Sequence, residues 1–336
     1  WRGRHESSKG WPSTAVSSWL NGGLFGGAGA AAAYGYYLAG VQDPGGFARD
    51  HIQKYDVVAD SVSTIVTTLS ATTYVNAGWT DSSAVTGYSA GGSAKWTINK
   101  LDLTTDSLST LVSTLPAGRW EAASISNAGT AGYIAGGQAY ASGLSGSFGR
   151  VNTGVKMVYS TTTTSTLAAT ISAATNFNSG ASNGGVAGYS IGGSTGSVVS
   201  TIDKITFATD GIAALGTGLS AATRAGAALS DDQTAFYYSG GWTTTYADAI
   251  DVFALPSDTR GTTSAVLIAP RRNLMNGIAF KANAGFFAGG YNGATIGSYQ
   301  SIDKLTFSTT TISAASGTLS TAGWYSGASC VNDSGL

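Results

Sequence analysis

A six-residue phrase, Gly-aromatic-x-small-Gly-Gly, returns along this chain at nearly even intervals and leaves few architectures open. The copies begin at Gly87 (GYSAGG), Gly132 (GYIAGG), Gly188 (GYSIGG), Phe236 (FYYSGG) and Gly285 (GFFAGG), after a worn first copy at Gly35 (GYYLAG). Counted from the first residue of each, the spacings are 52, 45, 56, 48 and 49 residues. A fixed period near 50 filled with strand-like residues predicts radially stacked four-stranded units, a β-propeller.

The last repeat shows how one unit is built. Leu274 to Ala282 reads as a first strand and Gly285 to Ala288 as a second, ended by Gly289-Gly290. Gln300 to Phe307 reads as a third strand and Ile312 to Leu319 as an outer one. The third strand has its own signature, at Ile52-Gln53-Lys54-Tyr55, Ile98-Asn99-Lys100-Leu101, Ile202-Asp203-Lys204-Ile205 and Ile302-Asp303-Lys304-Leu305. A further landmark ends each outer strand: Leu69-Ser70, Leu115-Pro116, Ile171-Ser172, Leu219-Ser220, Ile268-Ala269 and Leu319-Ser320. Alternation along the third strand places different residues on the two faces of a blade. The paired glycines mark a sharp turn or a close approach that a Cβ would obstruct. The aromatics before them (Tyr88, Tyr133, Tyr189, Tyr237, Phe286) are read as wedges between blades.

Six phrases predict six blades. Trp324 to Val331 begins a surplus inner strand, which can pair with the strand of Tyr36 and close the ring without an open sheet edge. Residues 1–34 are expected to form an arm or docking segment before a propeller at 35–336, unless Trp11, Trp19 and residues 24–30 supply a seventh blade.

Composition narrows function. Charged residues make up 10% of the chain and the net charge is −1, so no basic field exists to hold a phosphate backbone and nucleic acid is not expected as a partner. The uncharged stretch from Leu24 to Val41 is long enough to span a membrane, but its Gly, Ala and Tyr content favours strands, and no span is expected. Cys330 is the one cysteine, which rules out a disulfide framework.

The search for catalysis finds little. Histidine occurs only at His5 and His51 and glutamate only at Glu6 and Glu121. That is thin material for a zinc site, a Ser-His-Asp triad or a paired-carboxylate glycosidase. Asp203, Asp251 and Asp303 sit in the strand signature, where pairing with backbone or Lys is the expected role. Asp231-Asp232 reads as a solvated turn, without the Asp/Gly loop of a calcium site. The expectation is no enzyme, no cofactor and no metal.

Binding has more to work with. In a four-stranded blade, the loop after the second strand and the loop into the next blade's first strand emerge on one face of the disc. The first class holds Trp96, Tyr140, Trp242, Tyr246, Tyr291 and Asn292; the second holds Trp79, Arg119, Trp120, Arg224, Arg271, Arg272, Trp324 and Tyr325. Aromatics with Arg are the usual material of recognition surfaces, and rings beside Asn, Ser and Thr suit sugars. The competing reading for any one Trp is that it packs between blades or covers the channel end.

The glycine pair after an aromatic strand, once per 50 residues or so, resembles the kelch repeat over residues 35–336, although the regular Trp and second Tyr of typical kelch repeats are missing. The variant GY-x-AGG followed by Ile-Asp-Lys-Leu/Ile-Thr-Phe is similar to repeats of phage and other virion structural proteins. That resemblance implies a non-enzymatic structural and interaction propeller at a virion or extracellular surface, associated with a tail, fibre or capsid. It would contact other subunits of an assembly and a host glycan or receptor. A secreted carbohydrate-active propeller enzyme (an oxidase or lyase) and a cytosolic kelch-type adaptor stand as alternatives.

Overall fold

A computed structural model describes residues 33–42, 47–81, 85–93, 95–140, 148–274, 277–280, 283–293, 299–320, 323–324 and 328–332. The chain divides into two compact units, Trp1–Ala31 and Ala32–Leu336. The expected arm at 1–34 lies almost wholly outside the described residues, as do Trp11, Trp19 and Tyr325.

The second unit is a six-bladed β-propeller of four-stranded antiparallel sheets, and no helix occurs among the described residues. The fourth blade shows the pattern: inner strand Ser179–Asn183, then Ala187–Ile191, Ile202–Thr206 and outer strand Gly211–Ala214. In the first blade the chain supplies Tyr34–Gln42, Phe47–Asp56 and Ser61–Thr73, while the inner strand is the distant Ala328–Asn332, paired antiparallel with Tyr36 opposite Cys330. This is the closure expected from the surplus strand, and with six blades the ring is complete. Tyr34–Gln42, the end of the uncharged stretch, is a strand, and no described helix is long and apolar enough to cross a membrane.

The phrase aromatics Tyr88, Tyr133, Tyr189, Tyr237 and Phe286 are all buried. The paired glycines take left-handed φ angles, for example +61° and +108° at Gly192 and Gly193. A Cβ on Gly192 would come within 2.5 Å of the Thr223 carbonyl oxygen of the next blade's entering loop, and the Gly193 amide donates to that same carbonyl at 2.9 Å. The pair is therefore where one blade is fastened to the next, and only glycine fits there. The glycine that opens each phrase has another task. Gly132, Gly188, Gly285 and Gly35 leave room for Trp79, Ile125, Leu229 and Ile278, which project from the preceding blade's inner strand. At the junction of the fourth and fifth blades the sizes are inverted: Ala181 takes the large position and Phe236 the small one, both buried in one cluster.

Polar locks account for the other repeated residues. The third-strand lysines do not pair with their neighbouring Asp. Lys54, Lys156 and Lys204 reach Asp106, Asp210 and Asp258 at 2.8, 2.9 and 2.6 Å, on the outer turn of the following blade. Tyr36, Tyr133 and Tyr189 donate their hydroxyls to the same three carboxylates. These Asp residues occupy left-handed turn positions (φ 54–57°), which a short polar side chain tolerates. The strand-signature Asp works in the other direction, accepting from the landmark of the preceding blade: Ser172 to Asp203, Ser220 to Asp251 and, at the closing junction, Ser320 to Gln53. In the fifth blade the landmark falls one residue earlier than expected. Leu267 is the buried residue, and Ile268 donates its amide to Asp303 at 2.8 Å. Asp231 also departs from expectation: it is buried and accepts the amides of Gln233, Thr234 and Ala235, closing a hairpin turn.

Candidate binding face

One end of the channel is built from residues that follow the landmark by a constant interval. Val75, Glu121, Phe177, Ala225 and Asn273 all have left-handed φ angles, between 51° and 58°. Their backbones join around the axis: Glu121 donates to Val75, Phe177 to Glu121, Ala225 to Phe177 and Asn273 to Ala225, at 3.1, 2.8, 2.9 and 2.6 Å. This staircase fixes the mouth of the channel. Just before each of these residues the chain runs extended, so consecutive side chains point opposite ways. The side chains at 119, 175, 223 and 271 are buried, whereas Trp120, Arg224 and Arg272 are partly exposed; Asn176, the fourth of that second set, is buried as well.

That alternation sorts the candidate residues. Arg119, Arg271 and Trp79 are interior, which corrects their assignment to a binding surface. Arg119 donates to the carbonyls of Gly136 and Thr153 at 2.9 and 2.8 Å, and burial pushes its guanidinium down to about 10. Arg271 forms an ion pair with Asp303 at 2.5 Å, with both side chains at or below 1% exposure, and donates to Ser301. The Trp79 indole is buried because it fills the space over Gly132, against the Tyr88 ring.

The remaining aromatics gather into two clusters. On the second and third blades, Trp96 stacks on Tyr140 (6.2 Å, 16°), and Tyr140 touches Trp120 at 5.5 Å. Phe148, which sequence reasoning missed, completes the group at 5.7 Å from Trp120 and 6.3 Å from Tyr140. Trp96 and Phe148 are 46% and 60% exposed, so the cluster presents open ring surface. Tyr140 is held by pairing between Gln138–Tyr140 and Arg119–Trp120, an added ribbon on the third blade.

Three blades round the ring, hence across the mouth, lies the second cluster. The Arg272 guanidinium sits 4.8 Å from the Trp242 ring, 5.5 Å from Tyr246 and 5.8 Å from Tyr291. Short backbone bridges, Arg272 with Tyr291 and Arg224 with Trp242, hold these side chains in place. Arg224 lies 5.5 Å from the Phe177 ring, and Asn292 donates to the Tyr299 hydroxyl at 2.5 Å. Trp324 pairs with Val41 through its backbone, the same relation that Trp120 has to Gln138.

Between the clusters stands Glu121, which sequence reasoning did not single out. Burial raises its carboxyl above the usual range, against the opposing pull of hydrogen bonds from Gln138 and Asn176 (2.5 and 2.6 Å) and of the Arg224 and Arg150 charges. Arg150 is itself oriented by Asn176, at 2.9 Å. One signal for these residues was available: Val75, Glu121, Phe177 and Ala225 each lie six residues beyond Leu69, Leu115, Ile171 and Leu219. Their chemical dissimilarity hides the equivalence.

Fold and face together define a six-bladed β-propeller with an aromatic, arginine-bearing channel mouth. No protein-family model matches the chain, and no curated protein is significantly similar to it.

Proposed function

We propose that this chain is a non-enzymatic, kelch-like interaction propeller carried on a virus particle, where it meets neighbouring subunits and recognises a host-surface glycan through its channel-mouth face. The observation that carries the glycan reading is the four-ring cluster of Trp96, Trp120, Tyr140 and Phe148, with two rings left open to solvent. Open rings offer apolar faces to sugar C–H groups, and a surface of this composition is a recognition surface by the usual measure. The particle assignment rests on the repeat wording GY-x-AGG with Ile-Asp-Lys-Leu/Ile-Thr-Phe. Subunit contact is supported by the rim, where the outer strand Ser61–Thr73 carries no charge and leaves Val66 wholly exposed.

A carbohydrate-active enzyme is the second reading, and Glu121 favours it: a carboxyl of raised pKa beside sugar-sized apolar surface has the properties of a general acid. One experiment separates the two. The labelled chain is applied to a glycan array, and the bound glycans are then assayed for released reducing ends. The expected result is binding without product, lost in a Trp96→Ala/Phe148→Ala variant that melts like the wild type. Product release that disappears in Glu121→Gln would overturn the non-enzymatic reading, and an array with no bound glycan would overturn the glycan reading.

A further inference from the structure

Charge is scarce in this chain, 17 Lys and Arg against 18 Asp and Glu in 336 residues, and the fold matches most of what it uses inside. Lys54, Lys156, Lys204 and Arg271 each hold a carboxylate, and Arg119 and Arg260 are taken up by backbone carbonyls. Arg224 and Arg272, at the mouth, make neither an ion pair nor a side-chain hydrogen bond among the described residues. Asp248 shares a loop with Tyr246 but forms no ion pair with Arg272, and the acid of the mouth, Glu121, is engaged by the amides of Gln138 and Asn176. Both arginines are partly exposed. At Arg272 the Nε is buried without a partner but neither terminal nitrogen is, so its two Nη groups are open to solvent. No side-chain nitrogen of Arg224 is enclosed in that way, and its guanidinium is open too.

The surroundings of Arg272 select what it takes. Trp242, Tyr246 and Tyr291 stand around its guanidinium at 4.8, 5.5 and 5.8 Å, and the first two rings cross at 79°. Rings packed about the cation hold it in place, and with Nε enclosed the approach left is the edge that carries the Nη groups. That edge presents paired N–H donors, the fork that fits the two oxygens of a carboxylate. Arg224 is fastened to the same cluster, its backbone bridged to Trp242 and its guanidinium on the Phe177 ring, and it adds a second unmatched positive charge. A cationic guest is repelled there, and a neutral one leaves both charges unanswered. The three rings are partly exposed, so the C–H face of a sugar can lie beside the charge. We propose that this second cluster is a subsite for an acidic sugar residue, whose carboxylate takes the open edge of Arg272 while its ring lies against the aromatics and Arg224 reinforces the positive potential. This rests on the reading of the face as glycan-binding and adds the charge class of the glycan.

The test titrates the whole chain with glucuronic acid and N-acetylneuraminic acid, followed by saturation-transfer NMR and calorimetry. Glucose and galactose serve as uncharged counterparts and glucose 6-sulfate as an anion of different shape. At least one sugar acid is expected to bind saturably, about tenfold or more tighter than the neutral pair, and to weaken as salt is added. Arg272→Gln is expected to erase that preference, and Arg272→Lys, which keeps the charge but loses the fork, to retain only part of it. The side chain is partly exposed and makes no ion pair, so both variants are expected to melt like the wild type. An undiminished preference in both variants would overturn the subsite, as would equal binding of acidic and neutral sugars, binding of the sulfate alone, or no binding of any sugar acid. Array binding that needs Trp96 and Phe148 but ignores Arg272→Gln removes the subsite and leaves the face standing, whereas an array with no bound glycan removes both.

Discussion

Replacing Gly285 with Ala should change sign according to what stands at Leu229. A Cβ built on Gly285 lies 2.5 and 2.7 Å from the two Leu229 methyl carbons, against the roughly 3.5–4 Å that carbon atoms require. Leu229 is buried and cannot retreat freely. In the wild-type background the overpacking should cost about 1–3 kcal/mol. Gly285 has no left-handed φ, so Ala suits its extended backbone and recovers about 0.5–1 kcal/mol of strand entropy. The net change is a loss of about 0–2.5 kcal/mol. Leu229→Ala alone removes a buried side chain and should cost about 2–5 kcal/mol. On that background Gly285→Ala no longer meets the Leu229 δ-methyl groups and should stabilise by about 0.5–1 kcal/mol. The pair is thus coupled by about 1–3 kcal/mol, which urea denaturation of the four proteins measures as a double-mutant cycle. Equal effects of Gly285→Ala in both backgrounds, within about 0.5 kcal/mol, would refute the account of the opening glycine as space for a neighbour's side chain.

Two further outcomes follow from the junctions. Arg271→Ala leaves the Asp303 carboxylate buried without its charge partner and should cost about 3–5 kcal/mol, while Arg271→Leu/Asp303→Leu should recover much of that loss; midpoints of chemical denaturation check both. Asp60 closes the ring: burial alone would raise its carboxyl, but hydrogen bonds from the Tyr55 hydroxyl and the Ser316 and Gly317 amides hold it down to about 2. Because the folded value lies below the unfolded one, this contribution is complete above about pH 4 and fades as pH falls towards 2. Melting temperature should therefore drop over that window, with a smaller drop in Asp60→Asn; equal drops in the two proteins would show that the Asp60 carboxylate is not responsible.

The period and the glycine phrases made the blades readable, because a strained turn and a close approach each demand one residue type. The wedge aromatics were equally legible, since a large apolar side chain on the second strand of a blade has nowhere else to go. Sorting the binding residues was harder. Arg271 and Arg272 are adjacent and chemically identical, yet one is sealed against Asp303 and the other faces three rings. Only the register of the extended loop decides between them, and composition carries no record of register. Phe148 begins an 11-residue strand whose counterpart in length is Phe47–Asp56 of the first blade, while the blades on either side have five-residue strands there and carry no copy of it. Trp79 was misplaced for a different reason: its space is created by Gly132 in the next blade, a contact across 53 residues of sequence.

Most junctions join elements about 50 residues apart, but the bonds from Ser316 to Asp60 and from Ser320 to Gln53 span 256 and 267 residues. The added chain entropy of so long a circuit is only about 1.5 kcal/mol, since closure cost grows with the logarithm of length. Its weight is felt in time. Five junctions can form while the molecule is still an arc, and the sixth waits for the two extremities to meet. An arc has two sticky flanks that match each other, within one molecule or between two, so dilution during refolding favours the solitary disc over interlinked chains.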